Sequence, residues 1–139
     1  MYNSQHGINR ILIARNEGTD NEDISLLLMR NDLEVLMASS GQKAISLMKE
    51  HPDFRMAFFS TDLEGLNGFD TTMQARALDP GLPIILLVNY STRETINLAA
   101  MVGCDQVLQN PIEPETFVVL VDKLLSHVHH EQQCQQNGN

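Results

Sequence analysis

Residues 82–125 read LPIILLVNYSTRETINLAAMVGCDQVLQNPIEPETFVVLVDKLL. Pro83 opens an unbroken apolar run, Ile84–Val88, which suits a strand buried on both faces rather than one with a wet side. Ser91 with Glu94 fits a capping box, so a helix is expected to start there and to stop near Gly103. Val107-Leu108 is a second short apolar run. Pro114 is a favourable first-turn residue and opens another helix. The apolar positions Phe117, Leu120, Val121, Leu124, Leu125 and Val128 recur at helical spacing along one stripe. The stretch therefore predicts strand, helix, strand, helix.

The same alternation extends towards the N-terminus. Ile11–Ala14, Val35–Met37 and Met56–Phe59 are three more apolar runs at similar spacing. Asp20 can cap a first helix that turns Ile24, Leu27 and Leu28 inward. Ser39 with Gln42 fits a capping box for a second helix carrying Ala44, Ile45 and Met48. Asn67 can cap a third, running to about Leu78 before Asp79-Pro80-Gly81 breaks the chain. Strand–helix alternation repeated five times implies right-handed crossovers and a parallel sheet with helices on both faces. In such α/β sheets, ligands and chemistry sit at the carboxyl ends of the strands. No internal repeat is present.

The chain has 139 residues, enough for one domain that needs no disulfide or metal staple. No apolar run approaches membrane-spanning length and no basic-then-apolar leader is visible, so neither a span nor a secretory signal is expected. Cys104 and Cys134 lie far apart, which suits a reducing, cytoplasmic setting. Nine basic residues face eighteen acidic ones, for a net charge of −9. That balance opposes nucleic-acid binding and adhesion to an acidic membrane. It leaves metal ions, basic partner surfaces or plain solubility as its explanation. Residues 1–125 are read as the domain. Residues 126–139 are read as the end of the last helix followed by a polar, Gln-rich tail or linker. The tail holds His127, His129, His130 and Cys134. A solvated tail is preferred over a metal site there, because no rigid frame holds the ligands.

Several stretches, taken in order, resemble the receiver domain of bacterial two-component response regulators. Residues 11–17, ILIARNE, look like the first strand and its acidic turn. Gly41 to Met48 is similar to the family's Gly-x-x-Ala-Leu helix. Gly65-Leu66-Asn67-Gly68 matches a loop that reads Pro-Gly-Met-Asp-Gly in typical members. Pro83-Ile84-Ile85-Leu86-Leu87 matches the fourth strand. Gly103-Cys104-Asp105 and Asn110-Pro111 match Gly-Ala-Asp and Lys-Pro. The resemblance covers roughly Asn9 to Leu125. It implies a flavodoxin-like (βα)5 doubly wound sheet, strand order 2-1-3-4-5, in three α/β/α layers. A cis bond at Asn110-Pro111 is a further expectation.

The resemblance also implies a chemistry. In the family, two acids after the first strand and an Asp after the third hold magnesium, and that Asp accepts a phosphoryl group. A Thr or Ser after the fourth strand and a Lys after the fifth bind the phosphoryl oxygens. Here the acidic pair aligns with Arg15 and Asn16. The acceptor aligns with Ser60, eight residues before Gly68. The hydroxyl position holds Val88 and the Lys position Asn110. The aromatic of the fifth strand aligns with Val107. Three carboxylates and an ammonium are thus replaced by a lone guanidinium. Two unit charges about 4 Å apart repel by roughly 4 kcal/mol at an effective dielectric near 20, and a dication doubles this. Ser60 has no aligned base to activate it.

The expectation is a degenerate phosphorylation pocket at Arg15, Asn16, Ser60, Val88 and Asn110, with no catalytic residue, no metal and no cofactor. It describes a pseudo-receiver in two-component (phosphorelay) signalling that acts by protein–protein contact, not an enzyme. The implied partners are a histidine kinase, an output domain or another regulator. A homodimer through the fourth helix, fifth strand and fifth helix is also implied. One alternative is a phosphorylatable receiver with a displaced acidic site at Glu17 and Asp62. There Asp62 would be the acceptor and Asp20 a further acid. The plainer reading makes Glu17, Asp20, Asp62 and Glu64 a solvated rim, one of them pairing with Arg15. Another alternative is an anion- or small-ligand-binding flavodoxin-like module using Arg15, Asn16, Ser60 and Asn110. The opposing reading of those four is a self-satisfied hydrogen-bond network that locks one conformation. A flavin is disfavoured, because residues 15–20 lack a hydroxyl- and glycine-rich phosphate loop. No Ser–His or Cys–His arrangement supports a hydrolase.

Overall fold

A computed structural model describes residues 8–138, with side chains through Ser126. The order is β1 (Asn9–Ala14), a 3-10 turn (Glu22–Ile24) leading into α1 (Ser25–Leu28), β2 (Leu33–Ala38), α2 (Gly41–Glu50), β3 (Phe54–Ser60), α3 (Gly68–Leu78), β4 (Ile84–Val88), α4 (Arg93–Val102), β5 (Gln106–Gln109) and α5 (Pro114–Gly138). The strands form one parallel sheet in the order 2-1-3-4-5, as expected.

Successive strand residues serve opposite layers. Ile11 and Ile13 of β1, Met56 and Phe58 of β3, and Ile85 and Leu87 of β4 pack with Ile24, Leu27, Phe117 and Val121 of the α1/α5 layer. Leu12, Ala14, Ala57, Phe59, Ile84 and Leu86 pack with Ala44, Ile45, Ala75 and Ala99 of the α2/α3/α4 layer. Both faces are dry, so the central strands read as continuous apolar runs rather than alternating ones. Each fully buried Ile, Leu or Phe contributes about 1.5–3 kcal/mol relative to exposure.

The helix starts follow capping chemistry, with two shifts of one residue. Asn67 caps α3 as predicted, accepting from Asp70 N at 2.9 Å. α2 is capped by Ser40 rather than Ser39, accepting from Lys43 N at 3.0 Å. α4 is capped by Thr92 rather than Ser91, accepting from Thr95 N at 3.1 Å. Neighbouring hydroxyls offer the same chemistry, and the extended residue just before the first helical turn takes the role. Asp20 is not the cap of the first helix: Asn21 stands at that position and its side chain makes no capping bond, while Asp20, one residue further out, accepts from Glu22 N at 2.9 Å. Leu28 does not face inward. The first helix is one 3-10 turn plus one α turn, so Ile24 and Leu27 are buried while Leu28 ends it 53% exposed. The Asn110-Pro111 bond is cis. Helical backbone in α5 continues to Gly138, beyond position 125, while the side chains of His127, His129, His130 and Cys134 lie outside the described residues.

Two glycines are fixed by close approach. A Cβ on Gly68 would stand against the Ser60 carbonyl, so α3 can lie on the end of β3 only without one. A Cβ on Gly41 would meet Thr71 Oγ1 and Leu66 O, where α2 crosses the loop before α3. At the opposite edge, Arg76 gathers chain ends. It donates to the carbonyls of Pro80, Leu82 and Gly103 and reaches Asp105 Oδ2 at 3.1 Å. Asp105 Oδ2 also accepts from Ile84 N at 2.8 Å.

Helix propensity alone favours Ala over Gly within α2 by up to about 1 kcal/mol. The contacts at Gly41 reverse that sign. Gly41→Ala is expected to destabilise the domain by about 1–3 kcal/mol in urea unfolding, and a stabilised variant would contradict the packing described.

Candidate functional site

The carboxyl ends of β1, β3, β4 and β5 bring the five aligned positions to one edge of the sheet. Arg15 follows β1, Ser60 and Val88 end β3 and β4, and Asn110 follows β5. Strand alternation decides where the first two point. Arg15 continues the Ile11–Ile13 side towards α1 and α5, while Asn16 turns towards the β3–α3 loop.

Arg15 is 4% exposed. Its two terminal nitrogens donate to both oxygens of Asp23, at 2.8 and 2.6 Å, and one also reaches Asn21 Oδ1 at 3.3 Å. The guanidinium lies over the Phe117 ring, 5.7 Å from its centroid. Phe117 in turn packs on Phe58 with centroids 5.3 Å apart. This is a bidentate, charge-assisted pair with a cation–π contact on its open face. The partner of Arg15 is therefore Asp23, and none of Glu17, Asp20, Asp62 or Glu64, all of which are exposed. The 3-10 turn and the pair go together. Asp23 lies on the α1/α5 side, where Arg15 points, while Glu17 and Asp20 stay on the outward turn.

A second, largely neutral network joins the other loops. Asn16 donates to Asp62 O at 2.8 Å and accepts from Glu64 N at 3.1 Å. Asn89 donates to Asp62 Oδ2 at 3.2 Å, and Asn110 donates to Asn89 Oδ1 at 3.0 Å. The chain Asn16–Asp62–Asn89–Asn110 thus ties together the loops after β1, β3, β4 and β5. Sequence reasoning missed Asn89 and Asp23. Asn89 follows the apolar run Ile84–Val88 directly, so the rule selecting residues just past each strand could have found it. Asp23 carried no such signal, because its position depends on the 3-10 turn.

The remaining positions are apolar or enclosed. Val88 is fully buried and Ser60 is 7% exposed. Among the described residues, no group of three or more His, Cys, Asp or Glu side chains is arranged to hold a metal ion. An open cleft of about 290 Å³ lies between the turn after β1 and the start of α2, lined by Arg15, Asn16, Thr19, Ser39 and Lys43 among others. Its one nearly buried cation is Arg15, already committed to Asp23.

Removing one member of a buried ion pair strands the other. Asp23→Ala is expected to destabilise the domain by about 3–5 kcal/mol in urea unfolding. The double variant Arg15→Met/Asp23→Ala should recover much of that loss. Equal, additive losses in the double-mutant cycle would show that the pair is not coupled.

Comparison with known proteins agrees with this architecture. The family model for the response regulator receiver domain matches residues 11–122. The transcriptional regulatory protein ZraR of Escherichia coli K12 is 26% identical over 95 residues, which are 68% of this chain and 21% of that protein. ZraR of Salmonella typhimurium is 24% identical over 117 residues, 84% of this chain and 26% of its own length. The chain thus spans about a quarter or less of these relatives. Among solved structures, a CheY-like receiver domain protein from Methanospirillum hungatei superposes with TM-score 0.79 at 22% identity, covering 89% of this chain and 98% of that one. Chemotaxis protein CheY4 of Vibrio cholerae gives TM-score 0.75 at 19% identity, over 84% and 98%. With the family model covering most of the sheet and every strand end just described, the chain belongs to the response regulator receiver domain family.

Proposed function

We propose that this receiver domain is a pseudo-receiver, one that works by protein–protein contact without phosphorylation of an aspartate. The observation that carries this reading is the Arg15–Asp23 pair. Where the family resemblance places the first metal-holding acid, a buried guanidinium already holds its own carboxylate. A divalent cation entering here would meet a fixed positive charge and a carboxylate that is taken. It would also meet Asn16 and Asn110 amides engaged in other bonds. Ser60 is no acidic acceptor, and Val88 brings no hydroxyl to its own position.

Asp62 supports the displaced-acceptor reading less well. Its Oδ2 is held by Asn89 and no cationic side chain touches it in the network described. The partners of a pseudo-receiver are proteins: a histidine kinase, an attached or separate output domain, or another regulator. The face offered is α4, β5 and α5. It carries exposed Met101 and Val119, and a groove of about 370 Å³ lined by Leu108, Val119 and Leu120 with Glu115 and Lys123. Glu115 and Lys123 sit one turn either side of Val119, so two copies related by a two-fold could match opposite charges across it. Among the described residues, no helix is long and apolar enough to cross a membrane.

Incubation with magnesium and acetyl phosphate, read by intact-mass spectrometry, is expected to leave the mass unchanged. Beryllium fluoride with magnesium should likewise leave the NMR spectrum unshifted. A stoichiometric phosphoryl adduct on Asp62 or Ser60 would overturn the proposal.

A further inference from the structure

The polar end of α5 lies outside the strand-end site. Sequence reasoning prefers a solvated tail there for want of a rigid frame, and the helical backbone now supplies a frame. α5 has 25 residues, about 37 Å, while β3, the longest strand, has 7, about 23 Å. Among the described residues, the last that α5 gives to the α1/α5 layer are Leu124 and Leu125. The helix then continues from Ser126 to Gly138, and its surplus length is this polar stretch.

A helical register sorts the stretch. His127, His130, Glu131 and Cys134 recur at i, i+3, i+4 and i+7, which is one face of the helix. His129 falls off that face. His130 and Cys134 are an i, i+4 pair, the spacing at which two residues of one helix can share a metal ion. His127 and Glu131 repeat that spacing nearer the sheet, with a carboxylate in place of the thiolate. Imidazole with thiolate suits zinc and similar soft or borderline cations best. One helix cannot complete such a site. The first and last residues of the face stand about 10 Å apart along the axis, and a tetrahedral ion holds its ligands within roughly 2.3 Å. A single turn therefore supplies two ligands and leaves two directions open. Past Val128 no apolar repeat continues, so a coiled-coil seam is not what would pair two such helices. A helix this polar needs another hold.

We propose that two copies of this chain bind one zinc-class cation between their α5 extensions, with His130 and Cys134 of each copy completing a Cys2His2 set. Binding releases the thiol protons, since the thiolate is the ligand. The metal then sets whether two receiver domains are joined. The site uses no residue of the strand-end pocket, so it is independent of whether an aspartate is phosphorylated.

The test uses the whole chain, stripped of metal by a chelator and kept reduced, then titrated with zinc chloride and sized by chromatography with light scattering. The expected result is one zinc per two chains and a doubled mass that a chelator reverses. Cobalt(II) in place of zinc should give the strong visible bands of a tetrahedral site and a thiolate charge-transfer band. Cys134→Ser and His130→Ala should each abolish the doubling and the thiolate-bearing tetrahedral spectrum. Cys104→Ser and His129→Ala should change neither. No zinc uptake, one zinc per chain at unchanged mass, a doubled mass without metal, or a cobalt spectrum that survives Cys134→Ser would overturn the site.

Discussion

A guanidinium buried at the end of a strand must have a carboxylate, because an unpaired charge in that setting costs several kcal/mol. At Arg15 this constraint shapes the end of β1 and the loop that follows it. It draws Asp23 inward, and with it the turn from Asn21 to Ile24. That turn is 3-10 and the helix it opens is a single α turn. The same guanidinium covers Phe117, and so couples the β1 end to α5. One side chain thus ties the first loop to the end of β1 and touches the last helix as well.

The loops after β3, β4 and β5 solve the complementary problem with amides. Asn16, Asn89 and Asn110 donate where the family resemblance places a metal ligand, a residue past the hydroxyl position, and a lysine. Amides carry both donors and acceptors, so they can close a network with little net charge. The net charge of −9 is correspondingly read away from this edge's interior. Glu34, Asp53, Asp32, Asp122 and Asp105 pair with Arg10, Arg30 and Arg76 elsewhere on the surface. Glu17, Asp20, Asp62 and Glu64 are exposed. The acidity suits solubility and the choice of partner.

Much of the fold was legible because both faces of the sheet are dry. Ile84–Val88 suited a doubly buried strand, and the helix starts at Asn67 and Pro114 had a single candidate residue each. Ser39-Ser40 and Ser91-Thr92 were ambiguous in kind, since adjacent hydroxyls cap equally well until the backbone selects one. The site was legible in its positions and less so in its pairings. Alternation along Ile11, Ile13 and Arg15 fixes the side on which the guanidinium lies. Which of several nearby acids meets it depends on a short turn whose geometry the pair itself imposes, and periodicity does not encode that. Asn89 lies one residue past Val88, where the family pattern places none of its chemical groups.

Whether magnesium binds the folded state separates an internal ion pair in the metal's place from a working metal site. A ligand present at a hundred times its dissociation constant stabilises by about 2.7 kcal/mol, enough to move a melting curve by several degrees. Thermal unfolding in magnesium chloride, against sodium chloride of equal ionic strength, is predicted to give superimposable midpoints across the millimolar range. A saturable, magnesium-specific rise in the midpoint that disappears in Asp62→Ala would mean that a metal site survives at this edge and that the ion pair does not replace it.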